Sequence, residues 1–344
     1  MIYKLLIKPI FFLFDPESAH NFTLKFLSVS SFLFPIFRII FSSPNKKANL
    51  ILQNKKFFKN HIGLAAVFDK NGIAIRFWEA IGFSHAEIGT VTPKPQSGNK
   101  KPRIFRLKKD EALINRLGFN NHGAIVVRKN ILKAKERTGK DFIIGVNIGK
   151  NSYTPNEKAF EDYKKCFEVL FDCADYFTVN ISSPNTVGLR DLQSEEYLEE
   201  LLKELNDLNK ILSEKSNTPL KDIFLKISPD ISKEQAGSIF HLVCKYNFRG
   251  IIATNTTLSR NNIIDSIKEP GGLSGKPLKN LSTEILSEFD HLKKKFNSSI
   301  ILIGVGGIFS REDVTDKMNC GAGLVQIYTG MIYEGPGLIK KLLK

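Results

Sequence analysis

The chain has 344 residues, 42% hydrophobic and 25% charged, proportions that suit one large globular α/β domain with an accessory segment. Its four cysteines (Cys166, Cys173, Cys244 and Cys320) form no CxxC pair, and its six histidines form no HxH or HExxH spacing. This argues against a disulfide scaffold and a zinc site, and no metal is expected. The net charge of +15 is uneven, with nine Lys and Arg against Asp15 and Glu17 in residues 1–60. With no zinc finger or RNP-type motif, nucleic acid is the weakest explanation of that surplus, behind an anionic lipid surface and a solvated face.

The chain opens with a greasy, basic segment. Nine of its 27 phenylalanines fall in residues 1–41, and Tyr3–Phe14 and Phe22–Phe41 mix apolar residues with Lys4, Lys8, Lys25 and Arg38. The longest charge-free run, between Lys25 and Arg38, is 12 residues and contains Pro35, too short to span a bilayer. Two short helices of this composition predict an in-plane membrane anchor over residues 1–45. A helical lid packed on the main domain is the alternative. Pro9 and the Asp15-Pro16-Glu17 turn argue against a signal peptide. Lys46-Lys47 and the polar residues around Asn54 read as a linker.

From residue 63 strand-like and helix-like patterns alternate. The strand candidates are Gly63–Phe68, Ala86–Val91, Phe142–Ile148, Tyr176–Ile181, Ile223–Ile227, Gly250–Ala253, Ile300–Val305 and Gly323–Ile327. They are short and apolar, as strands buried on both faces are. Helical patterns such as Asn156–Cys173 and Ser194–Leu212 lie between them. Eight strand–helix repeats predict a (β/α)8 TIM barrel over residues 46–344. A doubly wound sheet is the runner-up, but no GxGxxG follows the first strand. Thr92–Asn121 is long for a connection, and Arg103–Leu107 with Ala112–Ile114 predict a hairpin lid over the barrel mouth.

Barrel chemistry sits at the C-terminal strand ends. Here those ends supply Asp69 and Lys70, Thr90, Asn147, Asn180 and Ser183, Lys226, and Thr254-Asn255-Thr256, with Asn115 added from the insertion. The set has no carboxylate pair and no Ser–His dyad, against glycoside hydrolysis and a serine triad. Gly304-Val305-Gly306-Gly307 and Tyr328-Thr329-Gly330 follow the last two strands. Glycine lets backbone N–H groups approach an anion closely, so these turns predict a phosphorylated ligand. Lys70 and Lys226 call for a further anion, a reduced flavin ring or a substrate carboxylate.

Several strings in order carry a resemblance. They are Phe14-Asp15-Pro16-Glu17-Ser18-Ala19-His20, Glu87-Ile88-Gly89-Thr90-Val91-Thr92-Pro93, Asn115-Arg116-Leu117-Gly118-Phe119-Asn120, Asn147-Ile148-Gly149-Lys150 and Asn180–Arg190. Ala253–Thr257, Gly271–Leu278, Ile303–Ile308 and Val325–Gly330 complete them. The chain resembles the class 2, quinone-dependent dihydroorotate dehydrogenases over nearly its whole length. The resemblance implies an FMN enzyme of pyrimidine synthesis that oxidises dihydroorotate to orotate and passes electrons to a membrane quinone. It also implies a monomer held peripherally on the cytoplasmic face of a bacterial inner membrane.

The resemblance further implies roles for individual residues. Ser183 takes the C5 proton while hydride leaves C6 for the flavin N5; class 1 members have a cysteine there. Asn115, Asn180, Asn185 and Asn255 hold the orotate ring and carboxylate, and Thr256 with the loop Asn115-Arg116-Leu117-Gly118-Phe119 completes that pocket. Ala66, Val67, Phe68, Asp69, Thr90, Asn147, Asn180 and Thr254 meet the flavin, as do Lys226 and Lys70, the latter also near substrate. Gly275, Gly307, Tyr328 and Thr329 form the ribityl-phosphate site, and His20, Arg106 and Tyr328 line the quinone tunnel. One departure is Val67, which stands where the family has glycine in Ala65-Ala66-Val67-Phe68-Asp69-Lys70. A negative φ would accommodate it; a positive φ would displace the flavin. A serine hydroxyl is a poor base alone, so Thr186 and a water are expected to relay its proton, with Phe119 excluding bulk solvent. The rivals are a colourless isomerase or aldolase barrel and a non-catalytic membrane flavoprotein.

Overall fold

A computed structural model describes residues 3–41, 48, 50–186, 188–261 and 263–344. The N-terminal helices are α1 (Lys8–Phe11), α2 (Pro16–Val29) and α3 (Phe34–Phe41). Asp15 caps α2 by accepting from the Ser18 backbone N–H at 2.8 Å, with Pro16 in the first turn where its missing N–H costs nothing. Phe34 and Phe37 of α3 pack on Phe77, at ring-centroid distances of 6.2 and 5.6 Å. The opposite faces stay open: Leu13, Phe32 and Ile39 are 84%, 75% and 78% exposed. Among the described residues no single helix is long and apolar enough to cross a membrane; Pro16–Val29 and Ser31–Phe41 reach that length only as a pair bent by 70°.

The rest of the chain alternates as read. In order it forms β1 (Ile62–Leu64), α4 (Ile75–Ala80), β2 (His85–Val91), β3 (Ile104–Leu107), β4 (Ala112–Asn115), α5 (Ala124–Lys135), β5 (Ile143–Ile148), α6 (Ala159–Leu170) and β6 (Tyr176–Asn180). There follow α7 (Glu195–Ser216), β7 (Asp222–Ile227), α8 (Lys233–Lys245), β8 (Gly250–Ala253), β9 (Gly272–Gly275) and α9 (Lys279–Lys295). The chain closes with β10 (Ile301–Val305), α10 (Arg311–Asn319), β11 (Ala322–Ile327), α11 (Thr329–Glu334) and α12 (Leu338–Leu343). Strands β1-β11-β10-β8-β7-β6-β5-β2 close into a barrel, all paired in parallel. The chain is therefore a (β/α)8 barrel with an N-terminal helical extension.

Two apolar layers hold it. Residues on the outer strand face and the inner helix faces, among them Ile88, Val146, Val179 and Leu225 with Phe167, Leu202 and Phe240, form the large ring-shaped core. A second core fills the bottom of the barrel with Ile143, Tyr176, Phe224, Ile252 and Leu324. The residues around Asn54 belong to that second core and are not a linker. Ile51 pairs antiparallel with Phe57, and Ala48, Leu52 and Phe58 plug the barrel floor. Gln53 fastens the plug by donating its backbone N–H to Asp222 Oδ2 at 2.7 Å. Lys46 and Lys47, read with Asn54 as the same linker, lie outside the described residues.

The predicted hairpin exists: β3 and β4 pair antiparallel, Ile104 opposite Asn115. It gains a third strand that the sequence did not announce, β9, which pairs antiparallel with β4. This small sheet stands beside the barrel mouth and carries Asn115 and Gly275 into it.

Candidate active site

The C-terminal strand ends surround an open cleft. Most of the residues named from the sequence line it: Ala66, Val67 and Lys70 after β1, Thr90 on β2, and Asn180, Ser183 and Asn185 from β6. Lys226, Thr254, Asn255 and Thr256 line it from β7 and β8, and Asn115, Leu117, Gly118 and Phe119 from the insertion. Gly275, Gly307, Tyr328 and Thr329 complete the wall.

The amides form two hydrogen-bonded groups, one around Asn180 and one around Asn185. Asn180 donates to Thr90 Oγ1 at 2.9 Å and to Asn147 Oδ1 at 3.1 Å. Its own Oδ1 accepts from Ser182, through the backbone N–H at 3.2 Å and the hydroxyl at 3.0 Å. Asn255 donates to Ser182 Oγ at 3.0 Å, and Asn185 to Asn115 Oδ1 at 3.4 Å. Ser183 is buried among them, its Oγ accepting the Asn185 backbone N–H at 3.3 Å. The loop bearing it is pinned by Arg190, which donates to Ser182 O, Thr256 O and Asp230. Thr186 Oγ1 is buried with no hydrogen-bond partner among the described residues.

Two cations face the cleft in different ways. Lys70 donates to Asn120 Oδ1, and no carboxylate pairs with it among the described residues. Burial, then the nearby Arg103 guanidinium, push its ammonium down to about 7. Lys226 has a protein counter-charge, Glu87, at 3.6 Å. The sequence alone points to a ligand anion as the partner of Lys226; the structure supplies Glu87.

Four expected contacts fall outside the cleft wall. Asn147 lies beneath it, donating to Glu87 Oε1 at 2.8 Å and accepting from Thr90 Oγ1 at 2.6 Å. Asp69 turns away to accept the Ile73 and Ala74 N–H groups and the Trp78 indole N–H, fastening the start of α4; burial raises its carboxyl. Phe68 packs on Trp78 and His20. Arg116 points outward, to Glu269 at 2.6 Å and over the Phe105 ring.

Val67 has φ +87°, so the chain keeps a glycine-type conformation with a β-branched residue, and that side chain stands in the cleft wall. At the other end Gly306 and Gly307 have φ +117° and +73°. A Cβ on Gly307 would sit 2.4 Å from Lys279 Cβ, at the first turn of the 17-residue helix α9. Gly275 is at φ +105°, and Thr329 donates to Ser274 Oγ at 2.8 Å. Gly306 and Gly307 thus set glycine backbone in the cleft wall, packed against the first turn of α9.

From the cleft an aromatic path leads to α2. Tyr328 meets Phe68 at 6.0 Å, and Phe68 meets His20 of α2 at 5.4 Å. Burial, then Lys70, push His20 down to about 4, so it is neutral at physiological pH. Arg106 donates to Phe14 O at 2.7 Å and stacks over Phe12, on the N-terminal side of the same region.

Residues 49–344 match the family model for dihydroorotate dehydrogenase. The chain belongs to the dihydroorotate dehydrogenase family. It is 47% identical over 352 residues to the dihydroorotate dehydrogenase (quinone) of Christiangramia forsetii, covering 99% of this chain and 97% of the relative. The protein of the same name from Actinobacillus pleuropneumoniae is 46% identical, with 98% of both chains covered. The solved ligand-free Eimeria tenella DHODH superposes with a TM-score of 0.85 at 36% identity, covering 95% of this chain and 93% of the other. Relatives so similar over nearly the full length place the chain in the quinone-dependent, class 2 branch, and it is an oxidoreductase.

Proposed function

We propose that this chain oxidises dihydroorotate to orotate in pyrimidine synthesis, with FMN in the cleft and a membrane quinone as final acceptor. The observation that carries the reading is Ser183, a buried hydroxyl placed among Asn115, Asn180, Asn185 and Asn255 with the Lys70 ammonium on the same cleft. The residues present fit FMN, with its ring shifted by the Val67 side chain, which stands in the cleft wall at positive φ. The Gly306-Gly307 cradle suits its phosphate, two cations suit a ring that gains negative charge, and Gln326 Oε1, buried in the cleft wall without a donor, suits a ring N–H. FMN, when bound, supplies the two-electron acceptance that no side chain provides.

The chain's own residues do the rest. The four amides donate to and accept from the pyrimidine ring without adding charge, and Lys70 balances the carboxylate. Held there, the substrate presents C5 to Ser183 Oγ, which takes the proton. Thr186, whose hydroxyl lacks a partner, receives it through a water, and Phe119 keeps bulk solvent out. The exposed apolar faces of α1–α3 rest peripherally on an anionic leaflet, and quinone reaches Tyr328 past His20 and Arg106.

Anaerobic addition of dihydroorotate to the purified yellow protein tests the whole reading. Wild type bleaches; a colourless protein points to an isomerase or aldolase, and a coloured one that does not bleach to a non-catalytic flavoprotein. Ser183→Ala should keep FMN and orotate and bleach roughly 10²–10⁴ times more slowly. Bleaching at the wild-type rate would remove Ser183 as the base.

A further inference from the structure

Glu87 is a carboxylate with no exposed surface, set in the middle of strand β2. Donors from three other strands converge on it: Asn147 Nδ2 at 2.8 Å from β5, Thr178 Oγ1 at 3.0 Å from β6, and Gln326 Nε2 at 2.9 Å from β11. Tyr176 adds its hydroxyl at 3.4 Å; burial, then Glu87 itself, push that phenol well above its usual range, so it stays a donor. Lys226 Nζ lies 3.6 Å away. Both carboxylate oxygens of Glu87 are thus met by donors, and Lys226 is the cation facing them.

The arrangement has an electrostatic consequence for the cleft above. Lys226 lines the cleft floor, and Glu87 does not reach it. Whatever ring rests on Lys226 senses a cation whose field is partly cancelled from below. We propose that Glu87 is a tuning residue that, by fixing Lys226 and offsetting its charge, limits how strongly the site favours the reduced, anionic form of its cofactor. This rests on the reading of the cleft as an FMN site. The interaction is large enough to matter, since opposite charges this close inside a protein interact far more strongly than in water.

The test is a charge cycle on the full-length, flavin-loaded protein, read by equilibrating the flavin with a reference dye of known potential. Glu87→Gln leaves Lys226 uncompensated and should shift the oxidised-to-reduced ratio about tenfold toward reduced, about 30 mV for a two-electron couple. Lys226→Met leaves Glu87 uncompensated and should shift it about as far the other way. The double variant should return close to wild type, because both charges are gone. A residue that only supported the barrel would lower the melting temperature and leave the potential where it was. An unchanged or lowered potential in Glu87→Gln overturns the proposal. Should Glu87→Gln fail to fold, Lys226→Met against the double variant carries the same test, and equal potentials for those two overturn it. Purification of every variant without flavin would instead count against the FMN reading.

Discussion

Val67 shows most directly how this sequence departs from the glycine its family places there. Its N–H donates to Gly89 O at 2.8 Å, which holds the backbone at φ +87° whatever side chain is attached. A β-branched residue at such a φ carries strain of about 1–3 kcal/mol, offset by packing against the Ile104, Leu113 and Leu117 cluster. Val67→Gly relieves the strain and loses the packing, so it should match or exceed wild type in chemical denaturation. Val67→Ala loses the packing and keeps most of the strain, so it should fall about 1 kcal/mol below. Lys70 yields a pH prediction. Its folded pKa is depressed to about 7, so the free site is an ammonium below that pH and an amine above it. An anionic ligand such as orotate favours the ammonium, so affinity should be highest below pH 7 and weaken as pH rises, by up to roughly tenfold per unit. Isothermal titration across pH 6–9 checks this, and Lys70→Met should flatten the slope. Ser183, the asparagines and the glycine turns were legible because they follow strand ends directly. Glu87, Thr178 and Gln326 were not. In strands buried on both faces, period-two alternation vanishes, and only the barrel's register reveals which residues meet inside.

At the scale of elements, α2 is tied to the substrate loop by one buried ion pair. Arg103 holds Glu17 of α2 with two bonds, at 3.0 and 2.7 Å, and donates to the carbonyls of Ser97 and Asn99. Asn99 in turn donates to Asn185 O at 3.0 Å, on the loop that bears Ser183. Arg103→Met leaves Glu17 a buried carboxylate with only the exposed Lys101 beside it. That should cost about 3 kcal/mol in denaturation and raise the KM for dihydroorotate, although Arg103 is not part of the cleft wall. An unchanged KM would show that the loop is held independently of α2. Seven barrel strands were legible to within one residue at either end, because continuous apolar runs between helical patterns leave few other folds; the first, read as Gly63–Phe68, ends four residues earlier at Leu64, where the chain turns. The floor plug was misread because the polar turn Gln53–Lys56 dominates its composition, and Leu52 and Phe58 acquire a purpose only once the barrel bottom lies over them. Strand β9, Gly-Leu-Ser-Gly, has almost no strand propensity and exists through its pairing with β4.

For the whole molecule, the uneven charge and the open apolar helices point to one surface. Helices α2 and α3 bury Leu24, Leu27 and Phe34 against the barrel, so the extension is docked, yet Leu13, Val29, Phe32 and Ile39 face outward. A helical lid would turn those side chains inward; an in-plane anchor leaves them where lipid can cover them. The cleft wall at Gly306-Gly307, where the proposed FMN would sit, lies in the barrel and draws nothing from the first 41 residues. Deleting residues 1–41 should therefore leave a yellow protein that dihydroorotate bleaches at close to the wild-type rate. It should no longer pellet with anionic vesicles, and turnover with a lipid-soluble quinone should fall at least about tenfold while a water-soluble dye is still reduced. The full chain's vesicle binding should weaken but persist at high salt, since screening removes the attraction of Lys4, Lys8 and Lys25 and leaves the burial of the apolar faces. Full quinone turnover by the truncated chain would mean that electrons leave by another route, and the aromatic path from Tyr328 through Phe68 to His20 would then be packing alone.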